Sequence, residues 1–261
     1  MITHHHQGYV QTETHRGITT ITFHHPQSNS LPARMLQELT KAIHGAGNED
    51  DCRVIVLRSE GEKAFCAGAS FEELLAIQNE QEGYRFFSGF AHVLNAMRKC
   101  PKFIIGRIHA RCVGGGVGLA AGCDYAIAAP GADVKLSELA VGIGPFVVGP
   151  AVERKVGMAG FSSLAIDATM WRNAEWCKRK GLYSELHPSQ QDADESIFRL
   201  SSQLAASNPQ AMAELKKVLW KGTEHWDELL AERAAISGRL VLSHFTRQAI
   251  DKFRQSRKPV A

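Results

Sequence analysis

Gly114-Gly115-Gly116-Val117-Gly118 stands between an apolar run with the character of a buried strand, Phe103 to Ile108, and a second with that of a helix, Leu119 to Cys123. A glycine run at a strand-to-helix passage lets backbone amides come close to a ligand and points them at negative charge, with the helix dipole behind them. Such a site suits an anion. The spacing is not the G-x-G-x-x-G of a dinucleotide unit, and no Gly-Lys-Ser/Thr follows as a phosphate loop needs. Nucleoside triphosphate binding is therefore not expected, and a tight packing turn remains the competing reading of the run.

Outward from the glycines, the flanking pattern alternates strand and helix. Tyr9 to Thr14 and Ile18 to Phe23 alternate around Arg16-Gly17 and predict an opening hairpin, which Pro26 to Pro32 then interrupts. Met35, Leu36, Leu39 and Ile43 fall at helical spacing within Ala33 to Ile43, and Val54 to Leu57 reads as a short buried strand. Phe71 to Ile77 and Tyr84 to Met97 read as helices, Tyr125 to Ala129 as a strand. That alternation predicts an α/β core with short parallel strands. From Asp192 only helical patterns remain, through Ala205, Pro209 to Trp220, Trp226 to Leu242 and Phe245 to Phe253. We expect a core over 1–200 and a helical region over 201–261 whose aromatic and leucine-rich faces need a partner.

Composition narrows the function class. The chain has 261 residues, 44% of them hydrophobic and 22% charged, as in a globular protein. A formal net charge of +3 is too small for a nucleic-acid footprint. The six cysteines, Cys52, Cys66, Cys100, Cys112, Cys123 and Cys177, form no CxxC pair, and we read them as reduced thiols of a cytoplasmic protein. The opening Met-Ile-Thr-His-His-His lacks an apolar stretch, and no run of about 18 apolar residues occurs, so neither secretion nor membrane spanning is expected. His4-His5-His6 and His24-His25 have no metal-ligand spacing, so no metal is expected. Trp171, Trp176, Trp220 and Trp226 read as core or interface anchors.

Two further segments bear on the glycine run. Lys63-Ala64-Phe65-Cys66-Ala67-Gly68-Ala69-Ser70 is again a strand-to-helix passage with small residues, and Leu136-Ser137-Glu138-Leu139 is followed by Val141-Gly142-Ile143-Gly144-Pro145. In order and separation these three segments resemble the enoyl-CoA hydratase/isomerase family, or crotonase superfamily, across nearly the whole chain. Asn29-Ser30-Leu31, Gly122-Cys123-Asp124 and Arg257-Lys258-Pro259 match further, weaker family patterns. The resemblance implies a crotonase-type spiral of ββα turns ending in a helical trimerisation region, and a homotrimer or dimer of trimers. It implies an acyl-CoA thioester substrate with no cofactor beyond the coenzyme A of the substrate.

By the same resemblance, the amides of Ala69 and Gly115 hold the thioester oxygen as negative charge develops on it, and Glu138 gives or takes a proton at the reacting carbons. Preorganised donors of this kind are worth roughly 2.7–4 kcal/mol of barrier each. Ala67, Gly68 and Gly114 complete the two loops, and Lys63 sits where contacts to the CoA moiety are expected, with Arg257 or Lys258 reaching in from the tail or a neighbouring subunit. Gly118 is the departure: hydratases of the two-glutamate type carry a second glutamate three residues after the oxyanion glycine. We expect glycine here to leave room for a bulkier acyl group or an ordered water; Glu72 and Glu73 either lean into the acyl pocket or, as the favoured reading, are exposed helix-face residues. The expected activity is hydration of an unsaturated acyl-CoA, branched or substituted as in a methylglutaconyl type, using one glutamate. Double-bond isomerisation by Glu138 alone is the alternative, and a catalytically silent acyl-CoA- or RNA-binding homologue is a third.

Overall fold

The computed structural model describes residues 8–256, with side chains as far as Lys252. β1 (Tyr9–His15) and β2 (Ile18–His24) form the antiparallel hairpin that the alternation predicts, Tyr9 opposite His24, turning on Arg16-Gly17. β3 (Ser30–Leu31) and α1 (Ala33–Asn48) follow. Thereafter each turn of the chain lays one strand in a large sheet, one in a small sheet, and then a helical segment. β4 (Val54–Ser59), β5 (Ala64–Cys66) and β6 (Gly68–Ala69) lead to α2 (Phe71–Ala76) and α3 (Glu80–Lys99). β7 (Phe103–Ile108) and β8 (Arg111–Val113) lead to α4 (Gly115–Gly122). β9 (Tyr125–Ala128) and β10 (Val134–Lys135) lead to a 3-10 turn (Leu139–Val141), α5 (Gly149–Ile166) and α6 (Ala174–Lys180), before β11 (Glu185–Leu186). The large sheet runs β1-β2-β4-β7-β9-β11, the small one β10-β8-β5, and β3 pairs with β6. All these pairings except the hairpin are parallel, as a spiral of ββα turns requires.

The large sheet is covered on both faces, which is why its central strands read as continuous apolar runs rather than alternating ones. Ile55, Leu57 and Ile104 face the main core with Leu36, Leu39, Leu94 and Met97. Val54, Val56, Phe103, Ile105 and Ile127 face the other way, against Ala193 and Ile197 of α7 (Gln190–Ala205) and Met212 of α8 (Pro209–Leu219). Position 200 thus lies inside a helix that packs on the sheet. α9 (Trp226–Leu240) crosses α3 at Gly83 and Gly238, where a Cβ on Gly83 would come within 2.6 Å of the Gly238 carbonyl oxygen. α10 (His244–Ser256) is the last described element. No described helix is long and apolar enough to cross a membrane.

Two local expectations are corrected. The strand Phe103–Ile108 does not deliver the chain straight into the glycines; β8, in the small sheet, does so after a turn at His109-Ala110. The helix begins at Gly115, not Leu119. Strands of two or three residues carry no periodicity to read, and glycine's poor helix propensity is overridden by burial. A Cβ on Gly116 would collide with the Cys66 carbonyl oxygen, so this helix can lie against β5 only with glycine there.

Candidate active site

The glycine run is built as a ligand-facing helix start. Gly114 donates its NH to the Lys135 carbonyl at 2.9 Å and takes φ of +53°, a left-handed conformation that turns the chain from β8 into α4. Gly115 is the first residue of that helix, so its NH has no intrahelical acceptor. The Phe90 ring packs on its Cα so closely that a Cβ would overlap it. β6 crosses beside this point: Gly68, with φ of +90°, has its Cβ position 3.5 Å from the Gly115 nitrogen. Ala69 comes next in β6, its carbonyl held by the Ser30 hydroxyl at 2.8 Å. Asn29 secures the same loop from below, accepting from the His25 NH and donating to the carbonyls of Glu60 and Ala64.

Lys63, Ala67, Gly68, Ala69, Gly114, Gly115 and Glu138 all line one cavity of about 1200 Å³. Lys63 is exposed there. Phe86, Phe87, Phe90 and Phe146 make much of the remaining wall apolar. Glu138 heads the 3-10 turn, its carbonyl accepting from the amides of Val141 and Ile143. The turn is held from α10 by Thr246, whose hydroxyl donates to the Gly142 carbonyl at 3.1 Å. The Glu138 carboxylate lies against the glycine loop, with Oε1 2.9 Å from the Gly114 Cβ position. Its Oε2 is shielded from solvent and has no hydrogen-bond partner among the described residues. Burial without a compensating cation pushes its pKa from 4.5 up to about 7. A carboxyl so placed exchanges protons near neutrality.

Gly118 does not line the cavity, and the room expected beside it is already filled. A Cβ there would lie 2.5 Å from Val148 Cγ1 and 2.8 Å from Val148 Cβ. Gly118→Glu alone is therefore expected to destabilise the protein by overpacking, by about 1–3 kcal/mol or more. Thermal melts of Gly118→Glu and of Gly118→Glu/Val148→Gly check this, and recovery of the melting temperature in the double variant is the expected outcome.

The remaining sequence candidates fall in different places. Of the two readings of Glu72, the structure has the one in which it reaches the cavity, where it accepts from Gln27 Nε2 at 2.8 Å. Glu73 instead holds the first NH of α1, that of Ala33, at 2.8 Å. Arg257, Lys258 and the His4-His5-His6 triplet lie outside the described residues. The His24 ring lies tilted against that of Tyr9, and His25 accepts from the Gln27 NH. Trp220 and Trp226 form a buried edge-to-face pair, as read for core anchors. Sequence reading passed over Val148, Phe90, Thr246 and Lys135, all at or behind the cavity wall. No spacing marks the first three, because they act from segments remote in the chain.

Residues 13–260 match the family model described as enoyl-CoA hydratase/isomerase. The mitochondrial methylglutaconyl-CoA hydratase of Rattus norvegicus is 30% identical over 217 residues, 81% of this chain and 68% of that protein. The peroxisomal Delta(3,5)-Delta(2,4)-dienoyl-CoA isomerase of Arabidopsis thaliana is 25% identical, over 88% of this chain and 87% of that one. Among solved structures, an enoyl-CoA hydratase from Bacillus halodurans superposes with a TM-score of 0.86 at 23% identity, covering 94% of this chain and 99% of the other, which establishes the shared fold.

Proposed function

Because this chain belongs to the enoyl-CoA hydratase/isomerase family, we propose that it hydrates an unsaturated acyl-CoA with Glu138 as its one acid-base group. The observation that carries this reading is the Glu138 carboxylate, buried against the glycine loop with Oε2 unpaired among the described residues, in the cavity that Ala69 and Gly115 also line. The amides of Ala69 and Gly115 take the thioester oxygen and stabilise the enolate that forms on attack. Ionised Glu138 takes a proton from water as the water oxygen bonds to the β-carbon. It then returns a proton to the α-carbon, which restores the carbonyl. Only water and protons move, so the step calls for no metal or redox group. Lys63, exposed at the cavity on the β5 side, would meet the CoA phosphates, and Ala67, Gly68 and Gly114 would shape the loops around the thioester; that all four line the cavity supports this. A branched or substituted enoyl group is the preferred substrate, in keeping with the likeness to methylglutaconyl-CoA hydratase.

Isomerisation is a second reading, favoured by one observation: Val148 fills the space that a second carboxylate at position 118 would need. Glu138 would then take a proton from the α-carbon of a 3-enoyl thioester and return it to the γ-carbon. Incubation with crotonyl-CoA and with a 3-enoyl-CoA, followed by absorbance and by proton exchange in deuterated water, separates the two. No turnover of any acyl-CoA would overturn both. In either case Glu138 must enter ionised. The kcat/KM of the free enzyme is expected to rise with pH through about 7 and then level off; a flat profile from mildly acidic to neutral pH would remove Glu138 as the base.

We also place subunit association in the helical region over 201–261, as a homotrimer or dimer of trimers. Leu215, Val218 and Leu219 of α8 stand exposed and support such a contact. The six cysteines are free and buried, which fits a reducing compartment such as the cytoplasm.

A further inference from the structure

Two helices that meet beside the Ala69 loop share one carboxylate. The start of α2 reads Ser70-Phe71-Glu72-Glu73, a serine with a glutamate three residues later, which is the sequence of a capping box. Half of the box is made: the Ser70 hydroxyl accepts from the Glu73 NH at 3.3 Å. In the other half the glutamate would reach back to the serine NH. Here that NH goes instead to the Leu31 carbonyl, at 3.0 Å, and the Glu73 carboxylate turns to the neighbouring helix. It accepts from the NH of Ala33, the first residue of α1, at 2.8 Å. α1 has no side-chain cap of its own, since Pro32 precedes it and its first turn holds no acid. Glu73 thus supplies the missing acceptor and the negative charge that the start of a helix favours.

The bridge bears on the loop that carries Ala69. β3 and β6 pair over Ser30-Leu31 and Gly68-Ala69, and the carbonyls of Asn29 and Leu31 take the NH groups of Ala67 and Ser70 on either side. α2 follows at once, yet none of its six residues is fully buried. Phe71 and Leu74 rest on a small apolar cluster and also line the cavity, so one face of α2 borders open space. Glu73 fastens α2 to α1, whose Met35, Leu36 and Leu39 are set in the main core. Glu72 adds an exposed bond to Gln27. A helix this short does not keep its place without such ties. We propose that Glu73 is a positioning residue: by bridging α2 to the start of α1, it holds the Ala69 NH in register with the Gly115 NH for the thioester oxygen. Glu73 itself does not line the cavity, so it acts through Ala69 and not on the substrate. This rests on the acyl-CoA reading above and deepens it.

Two thioesters separate positioning from binding on the full chain. Acetoacetyl-CoA forms an enolate that places negative charge on the thioester oxygen and absorbs in the near ultraviolet; butyryl-CoA stays neutral. The wild type is expected to bind both and to strengthen the enolate band. Glu73→Leu is expected to lose that band and to lower kcat on the enoyl-CoA the wild type turns over by roughly ten- to hundredfold, with KM and butyryl-CoA affinity little changed. Glu73→Gln keeps an acceptor for the Ala33 NH and is expected to recover most of both. Glu73→Asp, one methylene short of Ala33, is the milder variant and is expected to lose part of the same kcat; circular dichroism confirms that each protein is folded. Pro32→Ser/Glu73→Leu gives α1 its own cap, so its melting temperature is expected to recover while kcat stays low. Recovery of kcat with the melting temperature, or equal loss of kcat and butyryl-CoA affinity in Glu73→Leu, would make Glu73 merely structural and overturn the inference. So would an unchanged kcat and enolate band in Glu73→Leu, or a Glu73→Gln no better than Glu73→Leu. Failure of the wild type to bind either thioester would overturn the acyl-CoA reading itself.

Discussion

Glu138→Gln is expected to reduce turnover roughly thousandfold or more while leaving CoA affinity largely intact, because glutamine keeps the shape of the side chain and loses its proton chemistry. The same substitution is expected to raise stability at alkaline pH. The folded-state pKa of Glu138 lies above its ordinary value of 4.5, at about 7, so its burial costs the wild type least below pH 4.5. Stability is then lost as pH rises through about 7, by about 3 kcal/mol once the carboxyl is ionised in both states. Urea denaturation near pH 4 and about pH 8 should show the two proteins diverging with pH, the variant being the more stable at the higher value. Turnover close to wild type would remove Glu138 from the chemistry. Parallel stability curves would mean that the carboxylate is hydrated in solution.

Lys216→Met is expected to destabilise the fold by about 3–5 kcal/mol, since it strands a buried carboxylate. Lys216 and Asp124 pair at 2.8 Å with side chains only 3% and 6% exposed. Lys216 also donates to the Lys102 carbonyl, and Asp124 accepts from the Ile104 NH and the Trp220 indole. The aspartate that ends Gly122-Cys123-Asp124 is thus the point at which α8 and its following tryptophan are fastened to the start of β7. Asp124→Asn/Lys216→Met should lose less than Lys216→Met alone, because asparagine keeps an acceptor for the indole and leaves no charge behind. Chemical denaturation of the three proteins measures both effects. A loss below about 1 kcal/mol in Lys216→Met would class the pair with solvated surface bridges.

The hairpin over Tyr9–His24, the helices α1, α3 and α7 to α10 and the order of the three loop segments were legible because each leaves a signal within a short window: alternation, helical spacing, or clustered small residues; α5, Gly149–Ile166, was not read. The two- and three-residue strands β3, β5, β6, β8 and β10 were not, although they bring Ala69, Gly115 and Glu138 to one cavity. Their existence depends on pairing partners far along the chain. Gly118 shows the same limit at a single residue. The missing glutamate is plain from its position, yet what occupies the space is decided by Val148, from the segment that opens α5.

The hydroxyl of Thr246 on the carbonyl of Gly142 joins the turn of Glu138 to a helix that begins about a hundred residues later. Phe245, Gln248 and Ala249 of that helix are also wall residues of the cavity. The acidity of Glu138 is therefore not a local constant of the loop that carries it. It follows from burial in a cavity whose wall α10 helps to build, so substitutions at Phe245, Gln248 or Ala249 are expected to retune the pH response of the site without touching the glutamate or the glycine loops.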